Sequence, residues 1–266
     1  MNFDEVARIT DDMERNEALY QFFNEDERLL SRVGRVEFLT NFTAIQGLLR
    51  PQSHILDMGS GTGAYALPLA KEGHKVTAWE PASRNFALLS QKAAAQGSSL
   101  RLRQASSLDM AELPDAAYDM VLLFGPLYHL SKAAEQRYTL TQARRVCKPE
   151  GNLLISFINH DMVPISETMY RADWFADGDY DKSSLRLANR PFVFFTLEEA
   201  KALLESCGLR IERILASDGF AELLHRQLAA MSEESYTNYL RWHAAKCEQA
   251  ELLGASNHWL FVCRSA

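Results

Sequence analysis

The chain lacks most of the features that would tie it to a membrane, a polyanion or a metal. Its four cysteines, Cys147, Cys207, Cys247 and Cys263, are widely separated and form no CxxC pair, which reads as buried or free thiols and gives neither a disulfide framework nor a metal-ligand spacing. His160-Asp161 has no partners at ligand spacing, so no metal is expected. No apolar run is long enough to span a bilayer, and the acidic start Met1-Asn2-Phe3-Asp4-Glu5 lacks the basic-then-apolar layout of a signal peptide. A soluble cytoplasmic protein without a membrane partner is the expectation. Positive charge is also short: 28 Lys and Arg face 35 Asp and Glu, a net charge of -7, the wrong sign for a phosphate polymer, so no nucleic-acid partner is expected. Internal repeats and low-complexity segments are absent.

What is present is a hydrophobic content of 47%, enough for a full core, in 266 residues that fit one large α/β domain. The segment His54-Ile55-Leu56-Asp57-Met58-Gly59-Ser60-Gly61-Thr62-Gly63 carries the most information: a short apolar strand ends in an acid and opens into glycines spaced GxGxG. Glycine lets the backbone turn sharply and approach a ligand, and a helix that follows offers unpaired N–H groups at its start. Glu80 closes the next apolar strand, Lys75 to Trp79, about 20 residues past Gly59, the distance of a ribose-binding acid. A dinucleotide site spaces its glycines GxGxxG, whereas here the third glycine comes one position early. Asp57 also suits a cationic or amine-bearing ligand better than a diphosphate. Both features favour S-adenosylmethionine over NAD as the cofactor.

From Ile55 onward strands and helices alternate, the pattern of right-handed βαβ units in a parallel sheet. Strands are expected to end at Asp57 and Glu80 and to span 100–105, Met120–Phe124 and Leu153–Ile158, the last after a turn at Lys148-Pro149-Glu150-Gly151; further strands follow at 209–215 and 259–263. Residues 3–49 read as two or more helices, with Phe22, Leu29, Leu30, Val33, Val36, Phe38 and Leu39 at helical spacings. The expected domain therefore comprises an N-terminal helical lid (1–49), a cofactor-binding core (50–159), an inserted cap (160–195) with a hairpin pairing Ser184–Ala188 to Pro191–Phe195, and a C-terminal part of the core (196–266) with a helical insertion (220–253). Thr196 and Glu199 form a plausible capping box for the helix that ends at Gly208.

With these residues in place the chain resembles the class I S-adenosylmethionine-dependent methyltransferases over nearly all of its length. Leu56 to Gly63 looks like their first motif and Glu80 like their ribose acid; Ser107-Leu108-Asp109 matches the position that brackets the adenine, and Phe124-Gly125-Pro126 lies where the fourth strand meets the methyl group. Lys148 to Gly151 resembles the frequent LKPGG turn, with Glu150 in place of its first glycine. The segments from Ser31 to Thr40 and from Gly125 to Leu130 look like a bacterial subgroup with mostly unassigned substrates. The resemblance implies a Rossmann-like, doubly wound, mostly parallel seven-stranded sheet and transfer of a methyl group by in-line displacement to O, N or S of a small-molecule acceptor. Cofactor-binding candidates are Arg35, Asp57, Gly59, Ser60, Gly61, Gly63, Glu80, Leu108, Asp109 and Gly125, with Arg35 offered to the cofactor's carboxylate.

His129 and Tyr128 follow the fourth strand and are the catalytic candidates, His129 as a base near neutral pH, although transfer from a sulfonium can proceed by positioning alone. Trp174, Phe192, Phe194, Phe195, Tyr236, Trp242 and His258 are aromatic candidates for an acceptor pocket. An NAD-dependent oxidoreductase and a non-catalytic cofactor-binding regulatory protein are the alternatives. The oligomeric state stays open between monomer and homodimer.

Overall fold

Seven strands form one sheet in the order β3-β2-β1-β4-β5-β7-β6. They are β1 (His54–Met58), β2 (Lys75–Trp79), β3 (Arg101–Arg103), β4 (Tyr118–Leu123), β5 (Cys147–Ile158), β6 (Leu209–Ala216) and β7 (His258–Ser265). β1 to β5 pair in parallel, and β7 runs antiparallel between β5 and β6. The computed structural model describes residues 2–189 and 191–266; Met1 and Arg190, which fall in the expected lid and cap, lie outside the described residues.

The central strands β1, β4 and β7 and the second half of β5 are mostly apolar because both faces of the sheet are covered there, while the edge strands β3 and β6 carry arginines. Leu56, Val121, Leu153 and Phe261 point into one core and Ile55, Met120, Leu154 and Leu260 into the other. The expected alternation of strand and helix is observed, with α5 (Ala66–Lys71), α6 (Ser83–Ala95), α7 (Pro126–His129) and α8 (Ala133–Val146) between strands of the parallel part. Before the sheet come α1 (Phe3–Ala7), α2 (Asp12–Phe22), α3 (Glu25–Leu30) and α4 (Arg32–Gln46). Asp11 caps α2 and Ser31 caps α4 with side-chain oxygens on backbone N–H groups, which ends α3 and starts a new direction.

Three expectations are corrected. Lys148 to Glu150 belong to β5 and lie in its irregular pairing with β4, instead of forming a separate turn before the strand. The 184–188 and 191–195 segments do not form a hairpin. Leu187 bridges Tyr180 and Phe195 bridges Asn159, so each meets a different partner, while the segment's helices are short, α9 (Val163–Glu167) and α10 (Trp174–Asp177). The helix after the glycines begins only at Ala66, has six residues and carries no side-chain cap, so its first turn is not what the glycine loop presents.

The Thr196–Glu199 capping box does open α11 (Leu197–Ser206). The second insertion folds as α12 (His225–Ala230), α13 (Glu233–Lys246) and α14 (Ala250–Leu253). Its Leu228 and Tyr236 pack on Val36 of α4, and the Tyr236 hydroxyl donates to the Arg32 carbonyl at 2.6 Å. That insertion supports α4 from behind and, among the described residues, contributes nothing to the cavity wall described next.

Candidate active site

A cavity of about 270 Å³ opens at the carboxyl ends of β1, β2, β4 and β5, where the antiparallel β7 contributes its first residue. In an open α/β sheet this edge is where ligands bind. Asp57, Gly59, Ser60, Gly61, Glu80 and Gly125 line it, bringing together six of the residues expected from sequence.

The glycine loop is held from below. Gly59 and Ser60 N–H groups donate to the Trp79 carbonyl at 2.9 and 3.0 Å, and the Gly61 N–H donates to Glu80 Oε2 at 2.8 Å. Gly61 has φ +56°, and a Cβ built there would meet nothing within 4 Å. It faces open space, as a loop shaped for a ligand should. Gly63 is different: its Cβ would lie 2.6 Å from Leu89 Cδ1, so it serves helix packing and does not line the cavity.

Asp57 and Glu80 sit side by side and almost fully buried. Burial, with the Glu80 charge adding, pushes the Asp57 carboxyl up to about 7, and Asp57 Oδ2 has no hydrogen-bond partner. Burial also pushes Glu80 up to about 7, against the N–H bonds it accepts from Ala82 at 3.0 Å and from Gly61. Two buried carboxyls at a cavity wall are costly to keep ionised without a further partner. Each Glu80 oxygen has a second lone pair after its backbone bond. Glu80→Ala should therefore weaken cofactor affinity by roughly 1.5–3 kcal/mol, the range for hydrogen bonds to a charged group, as read by calorimetric titration at fixed pH.

The N-terminal helices form the opposite wall. Buried Arg15 pairs with Asp12, whose Oδ2 accepts the Ser131 N–H at 2.7 Å and hydroxyl at 3.0 Å, fixing α2 beside α7. Glu17 Oε2 accepts the Ser83 N–H at 2.8 Å, and Asp26 of α3 binds both Thr62 and Lys92, so the helices are also tied to the glycine loop and α6.

Arg28 reaches the cavity between Glu25 and Glu37, its Nη1 2.6 Å from Glu37 Oε2. Four of its five N–H groups are directed at the two carboxylates, and one on Nη1 remains. Arg35 is exposed on α4 and lies outside the cavity lining. Glu37 is held down at about 2: burial is the largest influence and would raise it, but the Arg28 charge, the His258 charge and the Arg28 hydrogen bond together outweigh burial. Its stabilising effect is present above about 4.5 and lost as the pH falls toward 2. Arg28→Ala should cost ~1–3 kcal/mol at pH 7, less than a fully buried pair because the guanidinium is partly exposed, and the deficit in thermal midpoint should shrink as pH falls through that window.

Of the adenine candidates Ser107 lines the cavity, as does its neighbour Ser106, which was not a candidate, whereas Leu108 and Asp109 do not. Asp109 accepts the Ser106 N–H at 2.9 Å in a capping box that opens the 3-10 turn Ser107–Glu112. Tyr128 and His129 both line the cavity. The Tyr128 hydroxyl donates to the Phe124 carbonyl at 2.5 Å, and burial raises its pKa. His129 Nε2 lies 3.1 Å from the Tyr20 hydroxyl; burial, followed by the Arg15 charge, pushes it down to about 3, which makes it a poor base at neutral pH. Among the aromatic candidates Phe192 and His258 reach the cavity; Trp174 stacks on Tyr180, Phe195 packs on Phe157, and Trp242 is exposed. Arg28, Glu25, Tyr20 and Asn16 were not among the candidates, yet all line the wall.

The cavity lies in a part of the chain that is similar to known proteins. Residues 55–151 match the family described as the methyltransferase domain. A ubiquinone biosynthesis O-methyltransferase of Rhizobium leguminosarum bv. trifolii is 26% identical over 160 residues, 53% of this chain and 62% of that protein. The chain thus spans about six-tenths of the length of that relative. The CcbJ methyltransferase of Streptomyces caelestis has the same fold, with a TM-score of 0.58 and 17% identity over 94% of this chain and 96% of its own. A [4+2]-cyclase, SpnF, shares it too, with a TM-score of 0.57 and 20% identity over 86% of this chain and 80% of the cyclase. The fold is that of the Rossmann-like α/β methyltransferases. Among the described residues no helix is long and apolar enough to cross a membrane.

Proposed function

We propose that the protein is an S-adenosylmethionine-dependent methyltransferase acting on a small aromatic acceptor, with a hydroxyl as the attacked group. The observation that carries this reading is the buried, unpartnered Asp57 carboxylate beside Glu80 and the open Gly61 loop, a combination that suits an amine-bearing nucleoside. When bound, S-adenosylmethionine supplies an electrophilic methyl group on a sulfonium. Asp57 offers its free oxygen to the amine, Glu80 its remaining lone pairs to the ribose hydroxyls, and the last Arg28 N–H a contact for the carboxylate. Helices α2 and α3 exclude water, which strengthens each of these polar contacts.

The acceptor side is aromatic. Tyr20, Phe23, Tyr65, Phe124, Tyr128 and Phe192 line the same cavity as Gly125, and a volume of about 270 Å³ that must take both cofactor and acceptor favours a small acceptor over a polymer. Flat rings with edge-to-face neighbours, such as Tyr65 on Phe124 at 4.9 Å, would hold a planar acceptor and restrict its orientation. The O-methyltransferase names of the curated relatives support a hydroxyl nucleophile. The test is incubation with methyl-labelled S-adenosylmethionine and a panel of simple catechols, aromatic amines and thiols. Label should pass chiefly to the catechols; transfer only to amines or thiols would move the attacked atom elsewhere.

A further inference from the structure

At the β5–β7 edge of the cavity His258 is exposed to the space with a carboxylate, Asp218, bonded to it outside the lining, and neither has a role in the proposed function. His258 opens β7 in register with Ile158, the last residue of β5, and both line the cavity. Its Nδ1 is 2.9 Å from Asp218 Oδ2, and its backbone N–H donates to Asp218 Oδ1 at 3.2 Å. Asp218, in the turn after β6, is itself fixed by the Ser256 hydroxyl. An ionised carboxylate only accepts, so the proton of a neutral His258 sits on Nδ1 and the Nε2 lone pair is left free; among the described residues Nε2 has no hydrogen-bond partner. The ring keeps 22% side-chain exposure, and it is part of the cavity lining.

We propose that His258, oriented by Asp218, is the base that takes the proton from the acceptor hydroxyl during methyl transfer. The inference rests on the methyltransferase reading. In the step, the O–H bond breaks and its proton goes to Nε2; the oxygen pair forms the new bond to the methyl carbon, and the S–C pair returns to sulfur, leaving a neutral thioether. The resulting imidazolium keeps its Nδ1–H bond to Asp218. Two strands, β4 and β5, bring the sheet edge from the glycine loop across to β7, and β7 lies about 10 Å from β4 at the usual strand spacing, room for one aromatic ring between Gly125 and His258.

The charges around the pair point the same way. Burial alone would lower the basicity of His258, but Glu37 of α4, its Oε2 3.8 Å from Nδ1, and Asp218 outweigh both burial and the opposing Arg28 of α3, and the net direction is up. Behind Asp218 lie Tyr239 and His243 of α13, which feel its charge. His129, in contrast, is pushed down to about 3. Asp218 is a positioning residue, and His258 is the group that meets the acceptor.

The experiment uses 4-nitrocatechol as a coloured probe together with calorimetric titration of S-adenosylmethionine, for the parent, His258→Gln and Asp218→Asn. The parent should ionise the bound probe at a pH clearly below that for the free probe, His258→Gln should lose this ionisation, and its single-turnover methyl transfer should fall roughly 10²–10⁴-fold. S-adenosylmethionine affinity should stay within about twofold in both variants. Asp218→Asn should move the acid limb of the rate profile to lower pH while lowering its plateau. An unshifted probe in the parent, or equal ionisation in His258→Gln, overturns the proposal. Loss of S-adenosylmethionine binding by the parent itself would instead overturn the methyltransferase reading. Thermal melting of each variant separates either result from misfolding.

Discussion

Replacing Gly61 by valine is expected to abolish S-adenosylmethionine binding and leave a cooperatively folded protein. The two halves of that expectation have separate causes. A Cβ at Gly61 meets no protein atom, so the branched side chain does not collide with the fold; it stands in the space the ligand needs. The backbone at φ +56° is strained for a side chain by ~1–2 kcal/mol, which in a chain of this size lowers the melting midpoint by only a few degrees. Loss of affinity beyond 100-fold with a near-parental melt is the expected pair of results. Gly63→Val should do the opposite, because its side chain would strike Leu89 and Leu67, and should depress the melt far more. A Gly61→Val protein that binds S-adenosylmethionine within twofold of the parent would displace the cofactor from this loop.

The second large effect is a trade between stability and binding at Asp57. A carboxyl held near 7 by burial binds its proton more tightly in the folded than in the unfolded chain, so the ligand-free protein is more stable when it is protonated and loses that stability as pH rises from about 4 to about 7. Asp57→Asn removes the penalty of the buried charge. At pH 8 the ligand-free variant should melt above the parent, by an amount on the order of 1–2 kcal/mol, and the difference should vanish near pH 4. Cofactor affinity should fall at the same time by about 10- to 100-fold, since the amine loses its carboxylate. Thermal melts at the two pH values and one titration check all three statements; a variant that melts lower than the parent at pH 8 would show that Asp57 is paired and structural.

The parts of this site that were legible in sequence are local. Strand, acid and glycines from Leu56 to Gly63 lie within one turn, and Glu80 ends the next apolar strand, so short-range pattern and strand pairing suffice to bring them together. The arginine was harder. Arg28 and Arg35 sit in one polar-rich stretch, and which of them reaches the cavity depends on the break at Ser31, whose hydroxyl caps α4 and leaves Arg28 on a separate helix. The sequence does carry that break, as a serine ahead of a helix and as Gly34, where any Cβ would fall 2.0 Å from the Arg28 carbonyl because α3 and α4 cross closely. His258 was legible only as one of several aromatic acceptor-pocket candidates, and Asp218 gave no signal. They are far apart in the chain, and only the antiparallel insertion of β7 beside β5 and β6 brings them to the cavity edge. The 160–195 segment failed for the opposite reason: residues with strand propensity were present, but their partners are Tyr180 and Asn159 instead of each other.

The central claim, that the cavity beneath α2 and α3 is an S-adenosylmethionine site, is tested most directly by calorimetric titration of the full chain with S-adenosylmethionine, its demethylated product and NAD under one set of conditions. Saturable one-to-one binding of the first two, none of NAD, and loss of the signal in Gly61→Val is the predicted outcome. Binding of NAD, or a folded parent that takes up neither S-adenosylmethionine nor its product, would contradict the account.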